Sequence, residues 1–182
     1  MAGDAGRGRI AIRPATPDDA PAIATINIEG WRQAYRGILP DADIAALDQE
    51  ARTAMWRDTL SPSGGWLLSV AVTEEGAVGF AAGRGQPEDD LRRAGFEGEL
   101  SALYVSAAWQ GRGIAARLII DLARRFGEQG FAGMSLWVFS DNHRARRFYE
   151  KMGATLIRER VAERVATRPL ERAMGWLHLL PR

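Results

Sequence analysis

The run Val105-Ser106-Ala107-Ala108-Trp109-Gln110-Gly111-Arg112-Gly113-Ile114-Ala115 carries two glycines between a β-patterned and a helix-patterned segment. Glycine lets backbone approach a ligand, and the first turn of a helix offers unpaired N–H groups and a positive dipole end. A phosphate or pyrophosphate suits such a turn, although a tight turn with no ligand uses the same residues. Gly111-x-Gly113-x-x-Ala116 meets the loose dinucleotide fingerprint. Against it, the loop from Val105 is long, and Asp141 follows Gly113 by 28 residues where a ribose-binding acid is expected after about 20. The Gly-Lys-Ser/Thr ending of a phosphate loop is absent, since Lys151 is the sole lysine.

Other side chains narrow the chemistry. There is no cysteine, and the only histidines are His143 and His178. This excludes a thiol nucleophile and a thiolate metal site, and argues against a His-built metal cluster, so no metal is expected. Glu97 and Glu99 share one face of a predicted strand, because side chains there repeat every two residues. Asn142 and Tyr149 are seven residues apart, two helical turns, and face one side.

The surrounding pattern must position these groups. Ile10 to Arg13 reads as a strand, and Thr16-Pro17-Asp18-Asp19 as a capped helix start leading to about Gly30. Ile44, Leu47, Ala51, Met55 and Leu60 have helical spacing and predict one second helix. A hairpin follows, Trp66 to Val72 and Ala77 to Gly83, then a flexible polar loop from Arg84 to Gly95. Glu97 to Val105 is a strand, Arg112 to Gly127 a helix and Ala132 to Phe139 an apolar strand, which makes a right-handed β-α-β unit. Asn142 to Met152 is a short helix, and Ala154 to Glu159 and Glu171 to Leu179 are closing strands. Ligands in such sheets bind beyond the C-terminal ends of the parallel strands. The site is therefore expected beside Val105, Ser106 to Gly113 and Ser140 to Asn142.

Three segments in this order resemble the GNAT superfamily of N-acetyltransferases. Gln110-x-x-Gly113-x-Ala115 is similar to its acetyl-CoA pyrophosphate motif, Glu99-Leu100-Ser101-Ala102-Leu103-Tyr104-Val105 to its central strand, and Asn142 to Ala154, with Phe148-Tyr149-Glu150-Lys151, to its later helix. Ile12 to Asp19 looks like its opening strand and helix, so the likeness spans residues 10–180. The resemblance implies an α/β single-domain fold over residues 10–182, a mixed central sheet flanked by helices with a β-α-β acyl-CoA-binding core, after a flexible segment at 1–9. It implies acetyl transfer from acetyl-CoA, by direct attack on the thioester, to a primary amine of an unidentified acceptor, a small molecule or a peptide or protein N-terminus, an acyltransferase activity on groups other than aminoacyl.

The residue roles follow from the resemblance. Glu99, with Glu97 or a water as competitor, would take the amine proton. The backbone N–H near Leu103 would stabilise charge on the thioester oxygen, and Tyr149 would protonate the departing thiolate. Leu103, Tyr104 and Val105 would line the pantetheine arm, with Asn142 and Tyr149 nearby. Gln110, Gly111, Arg112, Gly113, Ile114 and Ala115 would hold the pyrophosphate, with Arg117 also near the phosphates; Arg144, Arg146 and Arg147 read as a solvated helix face. Trp31 and Tyr35 would wall the acceptor pocket, unless they serve core packing. A catalytically inactive acyl-CoA-binding sensor of the same fold is the alternative.

Composition sets limits on partners. The chain has 182 residues, 24 basic against 23 acidic, and 46% hydrophobic residues. Near-zero net charge argues against a nucleic-acid or membrane-surface binder. The apolar runs are too short to span a bilayer and the opening residues carry no signal-peptide core, so a cytoplasmic protein is expected. Trp176 and Leu177, on a late strand, could support a homodimer.

Overall fold

The computed structural model describes residues 9–163 and 165–179. The flexible segment expected at 1–9 falls, apart from exposed Arg9, outside the described residues. Strand β1 (Ala11–Pro14) leads through a 3-10 turn at Pro17–Asp19 into helix α1 (Ala20–Ala34). The expected cap forms: Asp19 accepts from the Thr16 N–H at 2.7 Å and binds the Arg13 guanidinium through both oxygens at 2.7 and 2.8 Å. That pairing holds the Asp19 carboxyl below the usual aspartate range.

The single helix expected over 44–60 is two helices, α2 (Asp41–Ala45) and α3 (Gln49–Thr59). Asp48 breaks it: its side chain caps α3 by accepting from the Ala51 N–H at 2.8 Å. Strands β2 (Trp66–Thr73) and β3 (Gly76–Gly85) form the hairpin. The expected flexible loop holds helix α4 (Asp89–Arg93), pinned by buried Leu91 and by Arg158 and Arg160. Strand β4 (Gly98–Val105), helix α5 (Ile114–Glu128) and strand β5 (Met134–Phe139) complete the crossover. Helix α6 (His143–Lys151), β6 (Thr155–Val161) and β7 (Leu170–Trp176) follow.

The seven strands run in the order β1-β2-β3-β4-β5-β7-β6. The sheet has a core on each face. On one, the stripe Ile114, Leu118, Leu122 and Phe126 of α5 packs on Leu100, Met134, Leu136 and Met174. On the other, α1 and α3 put Ile23, Ala24 and Trp56 against Leu68, Val70 and Phe80. Trp176 belongs to the first core and its Nε1–H donates to Met152 O at 2.8 Å, so it offers no dimer surface; Leu177 is exposed. No helix among the described residues is long and apolar enough to cross a membrane.

β4 and β5 are the only parallel neighbours, and they pair only at Gly98–Met134 and Glu99–Ser135. Beyond those pairs they diverge, while β5 stays paired to β7 along its whole length. A bulge marks the departure: Ala82 faces Ala102 but Gly83 faces Leu100, which leaves Ser101 as the extra residue on β4. Bulges bend and twist their strand. Gly83 is required opposite it, since a Cβ there would lie 2.7 Å from Phe126 and 2.8 Å from the Glu99 carbonyl oxygen.

Gly30 sets the position of the wall opposite the sheet. A Cβ there would sit 2.2 Å from Tyr104 Cδ1, so the ring lies directly on the α1 backbone. Gly30→Ala gains about 1 kcal/mol of helix propensity but must displace a ring held near its base, an overpacking cost of about 1–3 kcal/mol. Urea unfolding is expected to show a net loss of stability; a stabilised variant would show that Tyr104 moves aside freely.

Candidate active site

The divergence of β4 from β5 opens a cleft of about 1870 Å³, walled by α1, α3, β4, β5 and α6. Pockets for one drug-sized ligand hold about 300–1,000 Å³, so this cleft has room for two substrates side by side. The backbone of β4 faces into it with order that can be read from one bond. Ser106 N–H donates to Val78 O at 2.9 Å across the β3 pairing. Amides alternate along a strand, so Tyr104 and Ala102 also face β3, while Leu103 and Val105 turn their N–H groups to the open side.

The strand runs directly into the glycine turn. After a 3-10 turn at Ala107–Trp109, Gly111 and Gly113 have φ of 77° and 74°, and Gly113 caps α5. This left-handed backbone is where glycine is favoured. The N–H groups of residues 111–116 meet no protein acceptor among the described residues, while Arg117 N–H already bonds Gly113 O. Six amides and the N-terminus of a 15-residue helix thus converge at the mouth of the cleft. Gln110 ties the turn to the strand: Nε2 donates to Val105 O at 2.9 Å and Oε1 accepts from Arg144 at 2.6 Å.

Three phenols gather on the far side. The Tyr35 and Tyr104 hydroxyls are 3.1 Å apart, and Tyr35 packs edge-on between Trp31 and Phe139. Burial first, and the neighbouring Tyr35 next, push the Tyr149 phenol well above its usual value. Tyr104 is raised the same way, chiefly by burial. Both keep their protons throughout the physiological range.

Glu99 is the carboxylate on the β4 wall, its side chain 12% exposed. Its Oε2 accepts from Arg84 Nε at 2.8 Å and from Ser101 Oγ at 3.0 Å, and Oε1 takes no protein hydrogen bond among the described residues. Glu97 does not share this place: it precedes β4 and accepts from the Ala132 N–H at 2.6 Å. Arg84 also stacks on Trp66, 4.8 Å from the ring centroid.

The site residues named from the sequence line the cleft, apart from Glu97, Arg117 and Arg112, whose guanidinium stacks on Trp109 at 4.5 Å. Arg117, expected near the phosphates, donates instead to Ile10 O at 3.0 Å. Asn142 lines the cleft and caps α6, accepting from the Ala145 N–H at 3.1 Å. Of the arginines read as a solvated face, Arg144 reaches Gln110 and Arg146 donates to Ser140 O at 2.9 Å.

Sequence reasoning missed one wall. Trp137 of β5 lies under Arg160, 3.6 Å from centroid to guanidinium, and its Nε1–H donates to Glu88 at 2.8 Å. Arg160 continues to buried Glu171 at 2.6 Å, and Arg158 to Glu88 at 2.5 Å. Glu88 lies 49 residues from Trp137 and 70 and 72 from Arg158 and Arg160, so the cluster leaves no local signal.

The model of the acetyltransferase (GNAT) family matches residues 28–154. A protein described as a probable N-acetyltransferase of Mycobacterium tuberculosis is 32% identical over 149 residues, 78% of each chain. The uncharacterized N-acetyltransferase YuaI of Bacillus subtilis is 28% identical over 92% of each. The crystal structure of the PaiA N-acetyltransferase of Thermoplasma acidophilum in complex with coenzyme A superposes with a TM-score of 0.73 at 19% identity, over 92% of this chain and 98% of that one.

The raised phenols give a direct test. A free tyrosine ionises near pH 10. The chain has three tyrosines, and an ultraviolet titration of the folded protein is expected to leave Tyr104 and Tyr149 un-ionised well past that pH. Because both folded values exceed the unfolded one, their contribution to stability is complete below about pH 10 and is lost as pH rises above it. Ordinary titration of all three would contradict the buried cluster.

Proposed function

Since the chain belongs to the GNAT acetyltransferase family, we propose that it transfers an acetyl group from acetyl-CoA to a primary amine by direct attack of the amine on the thioester. The observation that carries this is the strand edge whose Leu103 and Val105 N–H groups meet no partner strand and which runs into six amides without a protein acceptor among the described residues at the α5 N-terminus. Its donors fit the coenzyme's two polar parts: the amides of residues 111–116 suit a pyrophosphate, and the open edge of β4 suits an arm bearing amide groups. When bound, acetyl-CoA supplies an activated carbonyl and a thiolate leaving group.

This chain's residues would do the rest. The Leu103 N–H, aimed into the cleft, donates to the carbonyl oxygen as it gains charge. Glu99 accepts a proton from the attacking amine, directly or through water; Arg84 and Ser101 hold Oε2 and leave Oε1 for that task. Tyr149 arrives protonated and gives its hydrogen to the sulfur. A nitrogen–carbon bond forms and the carbon–sulfur bond breaks, with the amine proton ending on Glu99 and the Tyr149 proton on the thiol. Trp31 and Tyr35 bound the acceptor side.

An acceptor screen that follows free thiol release tests the activity. Acetyl-CoA binding without release to any amine would favour a sensor. Gly113→Asp forces a side chain into left-handed backbone and sets a negative charge among the free amides; calorimetry is expected to show loss of acetyl-CoA binding, and unchanged affinity would remove the pyrophosphate assignment. Glu99→Gln keeps shape but cannot take the proton. With the acceptor in hand, kcat/KM is expected to fall about 10²-fold at neutral pH, a typical general-base contribution. The deficit should shrink as pH rises and the amine deprotonates unaided, whereas parallel pH profiles would leave Glu99 a positioning role.

A further inference from the structure

Helices α1 and α3 face each other across one end of the cleft, and each presents a stripe with helical spacing. On α1 the stripe is Asn27, Trp31 and Tyr35, each four residues apart; on α3 it is Arg52 and Trp56. All five line the cleft. Three polar groups among them lack the partners their chemistry calls for. Asn27 is 3% exposed and its Oδ1 accepts no hydrogen bond; Trp56 is 6% exposed and its Nε1–H donates to nothing among the described residues. Arg52 is half-buried and, among the described residues, pairs with no carboxylate: its guanidinium lies 4.9 Å over the Trp31 ring and donates to the Met55 sulfur at 3.8 Å.

Buried polar atoms without partners are rare and costly. One turn before Trp56 on α3, Arg52 lines a recess at this end of the cleft as a cation that no carboxylate among the described residues neutralises. Of the other arginines that line the cleft, Arg84 pairs with Glu99 and Arg160 with Glu88 and Glu171, while Arg144 lies at the glycine-turn end and donates to Gln110. Arg36, also on the rim, is exposed. A guanidinium stacked on an aromatic face keeps its edge free, and that planar fork matches a carboxylate.

We propose that this recess is the carboxylate subsite of the acceptor pocket, and that the acceptor is an amino-carboxylate, a small molecule with its primary amine and carboxylate on one skeleton. The proposal rests on the acetyl-transfer reading for the fate of the amine. The carboxylate takes the Arg52 fork. The apolar part of the skeleton lies against Trp31 and Met55. Two walls of opposite task then orient the ligand: Arg52 on α3 for its anion, Glu99 on β4 for its amine.

The test is calorimetric binding to the full chain saturated with coenzyme A. The probes are L-amino acids, β-alanine and 4-aminobutyrate, each compared with the amine that carries hydrogen in place of the carboxylate. At least one amino-carboxylate is expected to bind tenfold or more tightly than its matched amine. Arg52→Gln should collapse that discrimination to within threefold, and Arg52→Lys, which keeps charge but loses the fork, should fall between. Circular dichroism confirms that both variants fold. Equal binding within every pair, no binding by any amino-carboxylate, or a preference that survives Arg52→Gln would overturn the subsite. Thiol release is measured apart: discrimination without release would sink acetyl transfer alone, and release to amines without discrimination would sink the subsite alone.

Discussion

The early end of the β4–β5 pairing is the constraint on which the rest of the structure depends. Two parallel strands that stay hydrogen-bonded leave no space between them, and buried backbone rarely goes unpaired. Here pairing stops after Glu99 and Ser135, and the bulge at Ser101 turns β4 away. The strand edge thereby exposes its amides to a cleft rather than to a neighbour. β5 survives the loss because β7, which arrives later in the chain, pairs with it fully on the other side. The sheet order β4-β5-β7-β6 is therefore part of the site as well as of the fold.

Around that wedge, close contacts between backbone and rings set the walls. Gly83 admits the bulge against Phe126, and Gly30 admits the Tyr104 ring against α1. The ring in turn meets the Tyr35 hydroxyl and brings α1 to the same cleft as β4. Charge is handled by pairing on an aromatic support: Arg84 on Trp66 holds Glu99, and Arg160 on Trp137 holds Glu88 and Glu171. Glu171 is buried, and removing only one partner of a buried pair is what costs most. This network also orders α4, so a segment whose composition reads as a loop becomes a fixed rim.

The two ends of the cleft have different physical characters. At the glycine turn the polar groups on offer are backbone amides, which no side-chain substitution removes and which glycine backbone keeps accessible. At the other end they are side chains on α1, α3, β4 and β5. Substitution can therefore reshape the second end while the first keeps its form.

The sequence by itself determined what depends on local order. The glycines at 111 and 113, the α5 stripe from Ile114 to Phe126, the Thr16–Asp19 cap and the hairpin about Gly76 are legible because turns, caps and periodic faces are set by residues a few positions apart. The motif order from Glu99 to Ala154 carried the family resemblance for the same reason. The Asp48 cap on the Ala51 N–H, three residues on, is local as well, but the run of apolar spacing concealed it. What only the tertiary structure decided involves partners far apart in the chain. Glu97 and Glu99 look equivalent on a strand pattern; a loop amide at Ala132 claims the first and the cleft receives the second. Trp176 reads as surface until the fold sets it over Met152. Trp137, Arg160 and Glu88 meet only when strands and helices from different parts of the chain pack together, and the burial of Asn27 and Trp56 is likewise a property of packing rather than of spacing.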